Sequence, residues 1–485
     1  MGNYNLTLLT DLYELTMMQG YFKNNANTTV VFDVFYRENP FGSSYAITAG
    51  LEQAIEYVEN LRFDNSDIDY LRSTGFFQDD FLEYLRDFRF TGDIYAIPEG
   101  TIVFPMEPLV KVVAPIIEAQ LVETALLNII NHQSLIATKA SRVVYAAGGG
   151  VMEFGLRRAQ GPDAGTYGAR AAVIAGCVGT SNVLAGKLFD IPVKGTHAHS
   201  WIMSFESELE AFRYYAKLYP DNCLLLVDTY DTLRSGVPHA IKVFQEMREQ
   251  GMEFKVYGIR LDSGDLAYLT KKARKMLDAA GFTDAVISAS SDLDEYLIDS
   301  LKTQGAQITS WGVGTNLITA KDCPAFGGVY KLAAVTDENG HFIPKIKVSE
   351  NIFKVTNPGN KTIFRLYDKS TGKIKADLIA LADETYPEDK DLMIFDPIAT
   401  YKRTLLKAGT YTVRELLTPV FLKGKCVYKT PPVMEIREYC TKELNTLWDE
   451  SRRIVNPQEV YVDLSKDLWE LKNQLLDHAH NQEKM

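Results

Sequence analysis

The chain has 485 residues, 46% of them apolar and 24% charged, and 51 Lys+Arg against 63 Asp+Glu leave a net charge of −12. At roughly 150 residues per domain this length predicts about three domains, with enough buried surface to fold without disulfide or metal staples. The acidic balance excludes bulk nucleic-acid binding and docking on an anionic membrane surface, since both need a basic face, yet it leaves room for a local positive pocket. No stretch reaches the ~18 apolar residues of a membrane span. Asp11 and Glu14 stand where a signal peptide would be apolar. The five cysteines are scattered, with no CxxC pair, so a reduced, cytoplasmic setting is expected.

Residues 1–137 read as a mixed α/β domain. A helical start precedes the strand TVVFDVFYRENP, the helical pattern AGLEQAIEYVENL and short strands around DIYAIPEGTIVFP and PLVKVVA. From Ile116 to about Tyr145 an apolar stripe of Leu121, Leu126, Ile129 and Ile130 predicts a long helix, stopped by Gly148-Gly149-Gly150.

Residues 138–335 repeat one grammar, an apolar run with a polar or glycine ending followed by an amphipathic helix. The runs are AAVIAGCVGTSN, IPVKGTHAHSW, CLLLVDTYDT, FKVYGIRLDSGD, AVISASSDLD and QITSWGVGTN. Spacings of about 20 to 35 residues between the last four fit a strand plus a crossover helix. Six such units predict a parallel sheet in a full or partial α/β barrel, with an open doubly wound sheet as the alternative. Residues 336–433 carry turn signals between the runs KIKVS, KTIFRLYD and KIKADLIAL, and predict an antiparallel β-rich segment that packs back on the N-terminal domain. Residues 434–485 read as a helical C-terminal extension.

In a parallel barrel the chemistry collects at the C-terminal strand ends. Alternation along VYGIRLDSGD puts Arg260 and Asp262 on one face, and Asp228 ends LLLVD in the matching position. Both aspartates have a plainer reading as helix caps. As a pair they suit Mg²⁺, which takes one or two carboxylates plus substrate oxygens. Gly312, Gly314 and Thr315 in SWGVGTN can close backbone N–H groups around a phosphate, although GxG at a strand end is also an ordinary tight turn. The stretch from Lys139 to Arg170 holds five cations against two carboxylates, and Arg157 sits in its densest part, FGLRRAQG. A solvated basic turn is the plainer alternative there. GTHAHSW puts His197 and His199 on one face of an expected strand, without the partners a zinc site needs. No Walker A loop, GxSxG elbow or GxGxxG after a first strand is present. The residues alone thus describe an α/β-barrel enzyme acting on a phosphorylated substrate.

The segments LLTDLYELTM, EGTIVFPMEPLVKV, FGLRRAQG, GTSNVLAGK, GTHAHSW, GIRLDSGDL, GVGTNL, GGVYKLAAV and NPGNKTIFRLYD, in that order, resemble the nicotinate phosphoribosyltransferase family. The resemblance implies a type II phosphoribosyltransferase fold: an irregular, partial α/β barrel with an α/β sandwich-like domain. It implies ATP-coupled transfer of phosphoribosyl from phosphoribosyl pyrophosphate to nicotinate, in a homodimer. Carried over by motif, Tyr13 stacks on nicotinate, Thr196 and Arg260 contact it, Thr315 with Gly312 and Gly314 grips the ribose-phosphate end, and His199 is transiently phosphorylated by ATP. Arg157 is an anion ligand, and His197 receives no catalytic role. A nicotinamide- or quinolinate-specific transferase and a non-catalytic sensor of NAD precursors are the competing expectations.

Overall fold

The computed structural model describes all residues except 1–4, 25, 27, 253–254, 352–353 and 483–485. It is a mixed α/β fold of two compact units. The first comprises residues 1–138, 325–431 and 438–485, and the second residues 139–324 and 432–437.

In the first unit a seven-stranded antiparallel sheet runs in the order Phe342–Pro344, Val329–Thr336, Thr29–Phe35, Val110–Pro115, Asp93–Ala96, Thr418–Leu422 and Lys425–Cys426. Thr29–Phe35 is buried along nearly its whole length, which suits its run of Val and Phe. A second sheet orders Tyr411–Glu415, Lys361–Asp368, Ile374–Leu381 and Tyr461–Leu464. Its core gathers Phe364, Leu366, Leu378, Ile394, Leu406 and Tyr411.

Several expectations change here. Residues 325–335, assigned by sequence to the barrel, belong to the first unit, because Val329–Thr336 pairs antiparallel with Thr29–Phe35. KIKVS forms no strand: the preceding strand ends at Pro344, and only the Lys345 N–H carries the ladder one step further, donating to the Ala333 carbonyl oxygen at 2.8 Å. The tail is not helical throughout, since Tyr461–Leu464 lies between helices Val433–Leu444 and Lys466–Gln482 and pairs parallel with Ile374–Leu381.

The second unit is built on a five-stranded parallel sheet, ordered Val151–Glu153, Ser310–Val313, Val286–Ser290, Val256–Leu261 and Asn222–Leu226. Isolated parallel bridges from Glu153 to Thr180 and from Thr180 to Val193 prolong the ladder at one end. Among the described residues the ladder does not close on itself. Two expected strands are absent. AAVI lies in the buried helix Pro162–Ile174, which Pro162 starts at its favoured first-turn position. IPVKGTHAHSW keeps one bridge, at Val193, before helix His199–Met203. His197 and His199 therefore do not share a strand face.

Because the five strands are parallel, their C-terminal ends lie along one edge of the sheet. That edge carries Glu153, Asp228, Asp262, Ser290 and the Gly312–Thr315 turn. Close packing fixes Gly312 at this edge and Gly258 further back in the sheet. A Cβ on Gly312 would meet Phe154 Cδ2 at 2.6 Å, and one on Gly258 would meet the Val286 carbonyl oxygen at 2.0 Å.

Candidate active site

Strand Val256–Leu261 delivers Arg260 to this edge, partly buried. Its Nη1 donates to Thr196 Oγ1 and, at 3.3 Å, to the His197 carbonyl oxygen. Its Nε is buried with no hydrogen-bond partner. Burial lowers the Arg260 pKa, the Asp262 and Asp228 carboxylates oppose that shift, and the Arg157 charge adds to it. Arg157 thus falls within the same electrostatic field, on the exposed 3₁₀ turn Leu156–Arg158.

The two aspartates are not helix caps. Asp265 caps Leu266–Ala279 by accepting from Tyr268 N–H at 2.9 Å, and Asp231 caps the turn Thr232–Gly236. Asp228 Oδ2 instead accepts from the Asp262 N–H at 2.8 Å and the Ser263 hydroxyl at 2.7 Å, while Asp228 Oδ1 is buried and unpartnered. Asp262 Oδ1 accepts from the Ser290 hydroxyl, and its Oδ2 lies 3.9 Å from His199 Nε2. His199 Nδ1 is 3.0 Å from Thr229 Oγ1.

His197 differs sharply from His199. It is 9% exposed, its Nε2 accepts from the Leu226 N–H at 3.3 Å, and its ring packs edge-on against Tyr215. Burial first, with the Arg260 and His199 charges, pushes its pKa down to about 4. It is a neutral packing residue.

Gly312, Gly314 and Thr315 follow on the neighbouring strand, where Gly312 pairs with Ser290. The second unit therefore brings together Thr196, His199, Arg260, Asp228 and Asp262 in one hydrogen-bonded and electrostatic network, with Arg157 in its field and the glycine turn on the same sheet edge. Tyr13 belongs to helix Leu12–Lys23 of the first unit, 47% exposed, and its hydroxyl bonds to Glu123.

Sequence reasoning missed Thr229, Ser290 and the pair Ser291–Asp292, whose φ angles of 135° and 31° are left-handed. VDTYD and SASSDLD hold their only signal, hydroxyls beside strand-end carboxylates. It also missed a cationic group in the first unit. The Lys331 pKa is lowered by burial, the Glu123 carboxylate opposes that shift and the Lys347 and Arg37 charges add to it, and Arg37 Nε is buried without a hydrogen-bond partner.

Fold and site define a mixed α/β protein with cationic, carboxylate and hydroxyl side chains gathered at the C-terminal edge of a parallel sheet. Family models for the nicotinate phosphoribosyltransferase N-terminal domain, family region and C-terminal domain match residues 8–131, 150–339 and 360–472. The chain is 49% identical over 472 residues to nicotinate phosphoribosyltransferase of Bacillus subtilis, covering 97% of this chain and 95% of that one. It is 33% identical to the Homo sapiens protein of that name, covering 96% of each. The crystal structure of human nicotinic acid phosphoribosyltransferase superposes with a TM-score of 0.82 at 30% identity, over 97% of this chain and 100% of that one. The chain belongs to the nicotinate phosphoribosyltransferase family. No helix among the described residues is long and apolar enough to cross a membrane.

Proposed function

We propose that the protein transfers phosphoribosyl from 5-phosphoribosyl 1-pyrophosphate to nicotinate, giving nicotinate mononucleotide and pyrophosphate. The observation that carries this reading is Arg260, whose buried, unpartnered Nε lacks the acceptor that an aromatic carboxylate supplies. The pyridine nitrogen attacks the anomeric carbon, the C–O bond to pyrophosphate breaks, and the nitrogen, which bore no hydrogen, becomes a pyridinium. No general base is needed. The protein's task is to hold two anions together and to stabilise the charge that leaves.

In this reading Thr196 steadies Arg260 on the nicotinate carboxylate. Thr315 with Gly312 and Gly314 receives the phosphorylated sugar, and Arg157 adds positive charge. Arg37, Lys331 and Lys347 are further anion-binding cations. The stacking role of Tyr13 rests on the TDLYELTM motif. Mg²⁺ fits the residues present, since Asp228 Oδ1 is an orphaned acceptor and, among the described residues, Asp262 Oδ2 accepts no hydrogen bond. These two carboxylates would hold it, and when bound it would neutralise pyrophosphate charge. Among the described residues no three acidic, histidine or cysteine side chains gather as a full cage, so substrate oxygens and water would complete its shell.

ATP is the co-substrate of His199. An imidazole nitrogen attacks the γ-phosphorus, the bond to the bridging oxygen breaks, ADP leaves, and water later takes the phosphoryl group as phosphate. The added charge biases the site toward tighter substrate binding. We read the parallel ladder with its two extra bridges as an irregular, partial α/β barrel, and the solution form as a homodimer. Exposed Val183, Leu184, Leu188 and Val193 support an apolar contact between subunits. Incubation with nicotinate, nicotinamide or quinolinate, each with phosphoribosyl pyrophosphate, Mg²⁺ and with or without ATP, tests the proposal. Mononucleotide should form from nicotinate and rise with ATP. Binding without pyrophosphate release would mark a sensor.

A further inference from the structure

Backbone strain in the second unit is concentrated around one turn. Of its five non-glycine residues with positive φ among the described residues, four flank the Gly312–Thr315 loop in space or sequence: Ser291, Asp292, Ala320 and Asp322. Ser291 and Asp292 are consecutive, and they directly follow Ser290, whose hydroxyl donates to Asp262. Two adjacent side chains held in a region that L-residues avoid persist only where the surroundings over-determine them.

One side chain supplies that determination. Asn316, 4% exposed, donates from Nδ2 to the carbonyl oxygens of Asp292 at 2.6 Å and Leu293 at 3.2 Å. Both amide hydrogens are thereby used. Asn316 immediately follows Thr315, and the strands that carry the two loops are paired, Gly312 against Ser290. A single buried amide therefore ties the strained turn of one strand end to the glycine turn of the next. Ser291 and Asp292 themselves stay exposed at the site edge.

We propose that Asn316 is a positioning residue for phosphoribosyl transfer, its amide locking the Ser291–Asp292 turn against the Gly312–Thr315 loop so that both strand ends meet the phosphorylated sugar as one preorganised surface. This rests on the reading that the Gly312–Thr315 loop receives that sugar. Without the amide the turn relaxes toward negative φ, and binding must restore it at the expense of affinity.

The test measures KM for phosphoribosyl pyrophosphate and for nicotinate separately in Asn316→Ala, Asn316→Asp and Thr315→Ala. Asn316→Ala should raise the KM for phosphoribosyl pyrophosphate about tenfold and leave that for nicotinate within about twofold. Asn316→Asp keeps the shape but offers acceptors to two carbonyls, so its effect should equal or exceed that of alanine. Adding Ser291→Gly to Asn316→Ala should recover at least threefold, because glycine adopts positive φ freely. An unchanged KM in both Asn316 variants while Thr315→Ala raises it overturns the proposal alone. No change in any of the three overturns the underlying reading of the loop as well. Equal loss for both substrates, or a wild-type Asn316→Asp, means packing rather than positioning and also overturns the proposal.

Discussion

His199 Nδ1 lies 3.0 Å from Thr229 Oγ1, while the opposite ring nitrogen faces Asp262 Oδ2 at 3.9 Å. The imidazole is held on one side by a neutral hydroxyl and on the other faces, beyond hydrogen-bond distance, a carboxylate that accepts from the Ser290 hydroxyl. If ATP phosphorylates this ring, its orientation decides the rate. Thr229→Val, nearly isosteric, should cut ATP-dependent phosphorylation of the protein and the ATP stimulation of turnover about tenfold, whereas Thr229→Ser retains both. Radiolabel transfer from γ-labelled ATP reads the first and mononucleotide formation the second. A valine variant with full labelling would remove Thr229 from the account.

Arg260 makes a different claim. Its replacement by Ala should raise the KM for nicotinate about a hundredfold, and Lys should not restore it, because a point charge lacks the directed Nε–H. ATP hydrolysis in the absence of nicotinate should stay within about threefold. Parallel loss in both assays contradicts the carboxylate role.

Asp228 is expected to act through Mg²⁺. Asp228→Asn should raise the Mg²⁺ concentration for half-maximal turnover about tenfold, with activity recovered at high Mg²⁺. A simple fall in maximal rate at unchanged Mg²⁺ dependence points instead to loss of the Asp262 N–H and Ser263 hydrogen bonds.

His197 gives a pH signature. Its folded pKa is lowered to about 4 from an ordinary 6.5, so the unfolded chain binds the extra proton first as pH falls. The stability it contributes is complete above about pH 6.5 and is lost as pH drops toward 4, on the order of 3 kcal/mol from this group. Urea denaturation of His197→Gln across that window should show a correspondingly flatter profile. An unchanged slope would assign the pH dependence to other groups.

The strand-end logic was legible because it rests on period-two alternation and on parallel βα spacing. The sequence alone places Arg260, Asp228, Asp262 and the glycine turn on one edge. What failed has physical causes. AAVI is apolar enough for a strand, but Pro162 and small residues make it a buried helix, and short apolar runs do not reveal their period. The two histidines of THAH differ in burial, which sequence spacing does not encode. Thr229 and Asn316 act through contacts 30 and 24 residues away, to His199 and Asp292, and carry no local motif. The strand Val329–Thr336 pairs with a segment some 300 residues earlier, so the boundary near residue 335 was set by a long-range ladder.

Selection of a pyridine carboxylate for phosphoribosyl transfer is expected to rest on the partly buried Arg260 guanidinium with its unpartnered Nε. Its most direct test is competition between nicotinate and nicotinamide, with phosphoribosyl pyrophosphate and ATP present, in wild type and Arg260→Ala. Wild type should prefer nicotinate in kcat/KM by at least about a hundredfold, and the variant should lose most of that preference. Equal use of the two pyridines by wild type, or an undiminished preference in the variant, would contradict the account.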